Sequence, residues 1–354
     1  MKYSYQKLEF SQGIKLIEQV KNKKESTAYQ REEFLRYYRM SQNFRVIGLR
    51  PEINILHKEF FFIVVRDEIE VCCLMPCEYN KKSKTLSLAG DQKQLNIPYC
   101  NVDTFGMEAF AGLIEFCKKE TDADYFFFQN IDIQTKFYEL LSNYCQQLKD
   151  DDKIQTVTKC VSIDNVNNNY DEWFKSLSKS VRQNVRTSYN HLKSDGVQME
   201  VRHKLGGAKL SVVRRCMYLQ RRRNLEKRGS DYPAWKLKPL LWIGSWLSLI
   251  NPRVQMLMKS EVSYLCEIWL NGELAAFVGG YLSGNGRFFI PFLKYNMDFK
   301  RYSPGGLAIC ESIKYLCDTD YTLNRYDLLT GDEPYKYSYG GTDYDNANIK
   351  IRLK

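Results

Sequence analysis

The sequence predicts an α/β protein of two like units in tandem, each a mixed, mostly antiparallel sheet flanked by helices. Three observations carry this reading. A series of strand, tight polar turn, strand, loop, strand, helix and strand runs through residues 59–128 and recurs through 262–329. The lengths from turn to final strand are similar and the residues are not, so the repeat is one of pattern. Between the two runs lies a polar stretch, Asn165-Val166-Asn167-Asn168-Asn169, of the composition that separates packed segments. Finally, 354 residues suffice for two cores of ordinary size. The expected domains are 1–164 and 165–354.

The elements follow from hydrophobic period. Residues 1–57 read as mostly helical, with an amphipathic helix over 26–38. Apolar strands are expected at 59–65, 69–77 and 85–89, the first two joined by the turn Arg66-Asp67-Glu68. A helix over 106–119, a strand at 124–128, a helix over 134–144 and a strand at 154–163 complete the first half. The second half opens on one long helix, 170–193, with Phe174, Leu177, Val181, Val185, Tyr189 and Leu192 as its apolar stripe. Lys175, Lys179, Arg182, Arg186 and Lys193 make a second, basic stripe, either a solvated face or a wall for an anionic substrate. Helices over 207–228 and 233–250 come next, then strands at 254–258, 262–270, 273–282 and 286–293. Asn271-Gly272 is a strong hairpin signal between the two middle ones. A helix from Pro304, a strand at 325–329 and a last strand in the tail, 344–354, end the chain.

Composition narrows the class. The net charge of +10 fits a nucleic acid, an anionic cofactor or an acidic substrate, but 42 Asp and Glu dilute the 52 Lys and Arg too far for a dedicated nucleic-acid binder. The most apolar run, 239–250, is too short to span a bilayer, and the N-terminus has no apolar signal core, so a cytoplasmic protein is expected. Eleven cysteines, an odd number with no C-x-x-C pair, and three scattered histidines point to reduced, buried thiols and to no metal site.

The chemistry concentrates in residues 301–336. Ser303 is a good N-cap and Pro304 fits the first helical position. Gly305 and Gly306 follow in the first turn, where glycine weakens a helix unless something must approach the backbone closely. A helix N-terminus with bare N–H groups takes an anion readily, and Arg301 stands just upstream. The alternative is an ordinary helix capped by Ser303-Pro304 whose glycines are accidents of packing. Asp327 sits on the strand 325–329, and the turn Gly331 to Lys336 lies beyond that strand's C-terminal end, where open α/β sheets bind ligands. The first half lacks the Pro-Gly-Gly sequence, so a phosphate is expected in the second.

Three stretches carry a resemblance: residues 177–186 (LSKSVRQNVR), Ser303-Pro304-Gly305-Gly306, and residues 326–336 (YDLLTGDEPYK). Through them residues 170–350 resemble the CelD-type acetyltransferases, the FemAB-related family with two tandem GNAT-like domains. The first half matches in outline only, as a degenerate copy. The resemblance implies acyl transfer, without a metal, from acetyl-CoA or another acyl-CoA to an amine or hydroxyl of a sugar or cell-surface polysaccharide precursor. It places the pyrophosphate on the backbone of Tyr302, Ser303, Gly305, Gly306 and Leu307, with Arg301 beside it. It places the pantetheine arm along the strand 286–293, where Phe292 and Leu293 line it and a backbone N–H faces the tetrahedral oxyanion. Arg301 stands one residue farther from Gly305 than in the usual GNAT loop. FemAB-like relatives use aminoacyl-tRNA, which makes tRNA-dependent transfer the second reading and a non-catalytic binding protein the third.

For proton handling the candidates are Asp327 to orient or deprotonate the acceptor, Tyr335 as acid to the leaving thiolate, and Lys336 to bind substrate or steady Asp327. A salt bridge between Asp327 and Lys336 without chemistry is the alternative. Glu267 is a second candidate base or a solvent-facing charge, and Arg182 and Arg186 are candidate substrate ligands or braces.

Overall fold

The structure is a computed structural model that describes residues 2–9, 11–13, 15–16, 57–68, 70–89, 99–100, 104–164, 166–227, 234–283 and 286–354. The chain forms two compact units, Met1–Cys160 with Tyr344–Lys354, and Val161–Asp343.

In the first unit β1 (Tyr3–Glu9), β2 (Lys58–Asp67), β3 (Glu70–Asn80) and β4 (Thr85–Leu88) are antiparallel neighbours in that order, with β5 (Tyr99–Cys100) also on β3. β6 (Tyr125–Asp132) lies parallel to β4. Helix α1 (Met107–Glu120) makes that crossover and buries Ala109, Phe110, Leu113, Ile114 and Cys117. Helix α2 (Lys136–Gln146) is capped by the Thr135 hydroxyl, which accepts from the Tyr138 N–H. Phe110 centres the core, with the rings of Phe105, Phe128, Phe137 and Tyr144 around it. β7 (Lys153–Ile163) then carries the chain onward.

In the second unit β8 (Met199–Leu205), β9 (Ser263–Leu270), β10 (Glu273–Leu282) and β11 (Arg287–Tyr295) are antiparallel neighbours in that order, and β12 (Arg325–Thr330) lies parallel to β11. This is the connectivity of β1, β2, β3, β4 and β6, so the repeat of pattern is a repeat of fold. Among the described residues this unit has seven α-helices: α3 (Tyr170–Ser176), α4 (Lys179–Ser194), α5 (Leu210–Lys227), α6 (Ala234–Ser248), α7 (Pro252–Lys259), α8 (Pro304–Cys317) and α9 (Pro334–Ser338). Helix α8 is the crossover and packs Leu307, Ala308, Cys310 and Ile313 with Ala276 and Val278 of the sheet. The other face lies against α7, whose Leu257 stands over Gly279.

Several expectations are corrected. Residues 3–9, read as part of a helical start, are a strand whose Tyr3, Tyr5 and Leu8 pack inward. The expected helix over 26–38 lies outside the described residues. The single helix 170–193 is two, because Leu177 is extended and the Ser178 hydroxyl accepts from the Val181 N–H to start α4. Residues 254–258, read as a strand, are helical: the Asn251 side chain caps the turn and Pro252 takes the first position. The tail, β13 (Thr342–Arg352), pairs antiparallel with β6 and returns to the first unit. Cys72, Cys73, Cys77, Cys117, Cys145, Cys160, Cys216, Cys266 and Cys310 are buried, and Cys317 is half-buried.

His203 stacks on Tyr315 at 4.1 Å and shares a hydrogen bond of 2.9 Å between its Nδ1 and the Tyr264 hydroxyl. Burial holds its pKa below the ordinary 6.5, against the pull of Glu311. The unfolded chain therefore binds the proton more readily, and stability is lost as pH falls from 6.5 through the folded value. The melting temperature should fall over that window, and His203→Phe, which keeps the stack, should flatten the fall.

Candidate active site

The ladder between β11 and β12 is short. It pairs Arg287 with Arg325, Phe288 with Tyr326 and Phe289 with Asp327, and ends there. Strand β11 runs on to Tyr295 against β10 alone, with Phe292 opposite Gly279, Leu293 opposite Val278 and Lys294 opposite Phe277. From Ile290 onward the edge of β11 turned toward β12 therefore has backbone groups without ladder partners on that strand. A register shift between Gly279 and Tyr281 bends the neighbouring strand at the same level. Gly280 permits it, because a Cβ there would lie 1.9 Å from the Phe289 carbonyl oxygen.

The parting is fixed by a buried ion pair. The Arg287 Nε donates to Asp327 Oδ2 at 2.7 Å, its Nη2 lies 2.5 Å from the same oxygen, and the Leu329 N–H donates to Oδ1 at 2.8 Å. Asp327 is completely buried and Arg287 nearly so. The Asp327 bond holds Leu329 in the left-handed region at φ 56°. Lys336 then closes the turn. Its Nζ donates to the carbonyls of Leu329, Thr330 and Gly331 at 3.1, 2.9 and 3.0 Å and pairs with Glu333 at 3.1 Å. The structure thus corrects the expected roles of two residues. Asp327 pairs with Arg287 and not with Lys336, neither side chain is open to a substrate, and both hold the turn's backbone. Tyr335 differs: its ring is partly exposed, its hydroxyl has no hydrogen-bond partner among the described residues, and burial raises its pKa.

The start of α8 is also built otherwise than expected. Ser303 adopts φ 45° and its side chain makes no cap hydrogen bond, while its carbonyl accepts from Gly306 and Leu307. A Cβ on Gly305 would lie 3.1 Å from the Tyr295 ring, and one on Gly306 would lie 2.0 Å from the Tyr339 hydroxyl. Both glycines make room for tyrosines. Arg301 pairs with Asp195, at the end of α4, at 2.9 Å, and the Tyr302 hydroxyl donates to the same carboxylate at 3.0 Å. Arg182 and Arg186 lie on α4 itself, roughly 20 Å and 14 Å up the helix from Asp195 at about 1.5 Å per residue, so they do not join this turn. Arg186 is exposed, and the Nε of half-buried Arg182 is shielded without a partner among the described residues.

Glu267 and Lys294 share one cross-strand row. Each is opposite Phe277, so all three side chains leave the same face of the sheet. Glu267 is buried, not solvent-facing as one reading had it. Burial raises its pKa while Arg202 and Arg215 resist, and its Oε1 has no hydrogen-bond partner among the described residues. Lys294 was missed in the sequence, although a lysine near the end of an apolar strand was a signal for it. Its pKa is lowered by burial and further by Lys227 and Arg223, with Glu333 pulling the other way. It makes no hydrogen bond or ion pair among the described residues. Arg223 lies over the Tyr295 ring at 5.1 Å, and its own Nε is buried without an acceptor among the described residues. Lys294, Lys227, Arg223, Glu333 and Tyr295 thus gather beside the unladdered end of β11. Among the described residues no group of three or more His, Cys, Asp and Glu is placed to hold a metal.

Replacing Asp327 with Asn should lower unfolding free energy by about 3–5 kcal/mol in denaturant titration, because Arg287 keeps a buried charge without its counter-ion. The effect on Lys336→Met should also be one of stability, three carbonyls losing their donor.

Comparisons agree with this fold. The structure is similar to that of FemX, with a TM-score of 0.54 and 11% identity over 84% of this chain and 89% of that one. It is similar to a conserved protein of unknown function from Bacteroides thetaiotaomicron, with a TM-score of 0.52 and 12% identity over 84% and 87% of the two chains. It is likewise similar to the C-terminal domain of a putative lysylphosphatidylglycerol synthetase from Agrobacterium fabrum, with a TM-score of 0.51 and 10% identity over 96% and 92%. No curated protein matches the sequence. Residues 253–337 match the family described as acetyltransferase (GNAT) domain, a span from α7 to α9 that contains the parting of β11 and β12. The chain is an acyltransferase, and its match to an acetyltransferase (GNAT) domain lies within the second unit.

Proposed function

We propose that the second unit transfers an acyl group from an acyl-CoA to an amine or hydroxyl acceptor by direct attack on the thioester. One observation carries the reading: the edge of β11 loses its ladder partner after Phe289, and beside that edge stands Lys294, shielded and without a hydrogen-bonding partner among the described residues. The acyl carbonyl lies along residues 290–295, and an N–H near Phe292 and Leu293 stabilises the oxyanion. Neutral Lys294 takes the proton from the attacking nucleophile, and the Tyr335 hydroxyl supplies one to the leaving thiolate. Arg223 and Lys227 hold anionic parts of the ligands. Glu267, on the same row, is the reserve base. The domain division at residues 164 and 165 belongs to this reading, with the first unit as a degenerate copy. The acceptor class, a sugar or polysaccharide precursor, rests on the family resemblance.

A second reading, aminoacyl transfer from tRNA, is favoured by the start of α8. Its glycines face Tyr295 and Tyr339, and Arg301 faces Asp195, so the features expected to hold a pyrophosphate are engaged within the protein.

The two readings separate in a thermal-shift experiment with acetyl-CoA, CoA and bulk tRNA added singly. A ligand of the folded state present at about 100 times its Kd stabilises by about 2.7 kcal/mol. A rise with acetyl-CoA supports the first reading, no rise with either CoA compound sinks it, and a rise with tRNA alone moves the second forward. With the responding donor, Lys294→Met should cut the transfer rate by about 10²–10⁴ and leave the thermal shift in place. In the unsubstituted protein the rate should climb with pH to a plateau reached below the ordinary lysine value of 10.5, and Lys294→Arg should lose that limb.

A further inference from the structure

Helix α6 is apolar on its outward as well as its inward side. Its inward residues include Leu241, Gly244 and Ser245, all buried, and Ser248, which accepts from Arg221 Nε of α5 at 2.8 Å. Gly244 is required there, because a Cβ would stand 2.7 Å from the Arg221 side chain. The outward stripe is apolar. Trp235 is 72% exposed, Trp242 54%, Ile243 52%, Trp246 40%, Leu247 44% and Ile250 40%. The five on the helix recur at helical spacing and form one face, which Ile250 extends from the turn after Ser248. A face of this size left in water is costly, and isolated exposed leucines do not resemble it.

The surrounding charge says what covers it. Residues 208–260 carry twelve Lys and Arg against two Asp and Glu, which equals the net charge of the whole chain. The rest of the protein is neutral by count. Helix α6 itself bears Lys236 and Lys238 and no acid, and Arg214 of α5 lies over the Trp246 ring at 4.9 Å. Tryptophan and leucine on one face with lysine and arginine at its rim is the chemistry of a helix lying in the headgroup layer of an anionic bilayer. A second copy of the chain would bring Lys236 and Lys238 toward like charges across a two-fold axis, which disfavours self-association. No described helix is long and apolar enough to cross a membrane, so the contact is with the surface.

We propose that α6 docks the protein onto an anionic lipid surface, with Trp235, Trp242, Ile243, Trp246, Leu247 and Ile250 entering the interface and Lys236 and Lys238 meeting the headgroups. The proposal goes beyond acyl transfer and stands whichever donor is used. It is tested by flotating the full chain with vesicles of phosphatidylcholine alone or mixed with phosphatidylglycerol. The chain should float with the mixed vesicles, lose binding as salt is raised, and show a blue shift in tryptophan emission. Trp242→Ser with Trp246→Ser should weaken binding about tenfold or more at unchanged melting temperature. Lys236→Gln and Lys238→Gln should each weaken it about fivefold, and only for the anionic vesicles. Failure to float with either vesicle, or equal flotation of the double tryptophan variant, overturns the proposal. So does a concentration-dependent dimer, or RNA binding, that is lost in that variant while no flotation is seen.

Discussion

The site depends on the buried pair between Arg287 and Asp327. Two charges out of water are worth keeping only where geometry and further hydrogen bonds compensate their desolvation. Here the carboxylate receives the guanidinium on one oxygen and the Leu329 N–H on the other. The pair stands at the last rungs of the β11–β12 ladder, so it holds the strands together at the point beyond which they separate. It also sets the left-handed Leu329 and, through it, the carbonyls that Lys336 gathers. An apolar pair of similar volume could seal the sheet as well, but it would not also fix the turn that carries Tyr335.

Much of the fold was legible because it is written in local signals. Asn271 and Gly272 both adopt positive φ, at 48° and 80°, as a two-residue hairpin requires. The strand and helix series repeats because the same topology is built twice. What was not legible depends on partners far along the chain. Asp327 was read as a proton-handling group or as a partner of Lys336, but its partner lies 40 residues away and the nearer Lys336 was the visible candidate. The glycines of α8 were read as room for a ligand's phosphate, whereas the groups that approach them are Tyr295 and Tyr339, which no local pattern reveals. Residues 254–258 are a short apolar run, and such runs fit a strand or a buried helix equally until a cap such as Asn251 is weighed.

Glu267 and Lys294 show how one physical effect can prepare two opposite groups. Burial disfavours the charged form of each, which raises the carboxyl and lowers the amine, so both move toward neutrality. They are two strand spacings apart, roughly 10 Å, with Phe277 between them. That distance is too long for a direct pair and keeps each from restoring the other's charge. The arrangement explains why the acid stays near Arg202 and Arg215 while the amine faces Lys227 and Arg223.

Helix α5 joins the two regions of interest. Arg221 reaches into α6 and bonds Ser248, whereas Arg223 lies over Tyr295 at the end of β11. The two arginines are two residues apart, about 3 Å along the helix axis, and so point to different sides at one level. Helix α6 and the open end of β11 therefore flank the same stretch of α5. A surface that engaged the outward face of α6 would meet a helix tied to that stretch by the half-buried Ser248, whose hydroxyl accepts from the Arg221 guanidinium. Gly244, placed where any side chain would push Arg221 away, is the residue that makes so close a coupling sterically available.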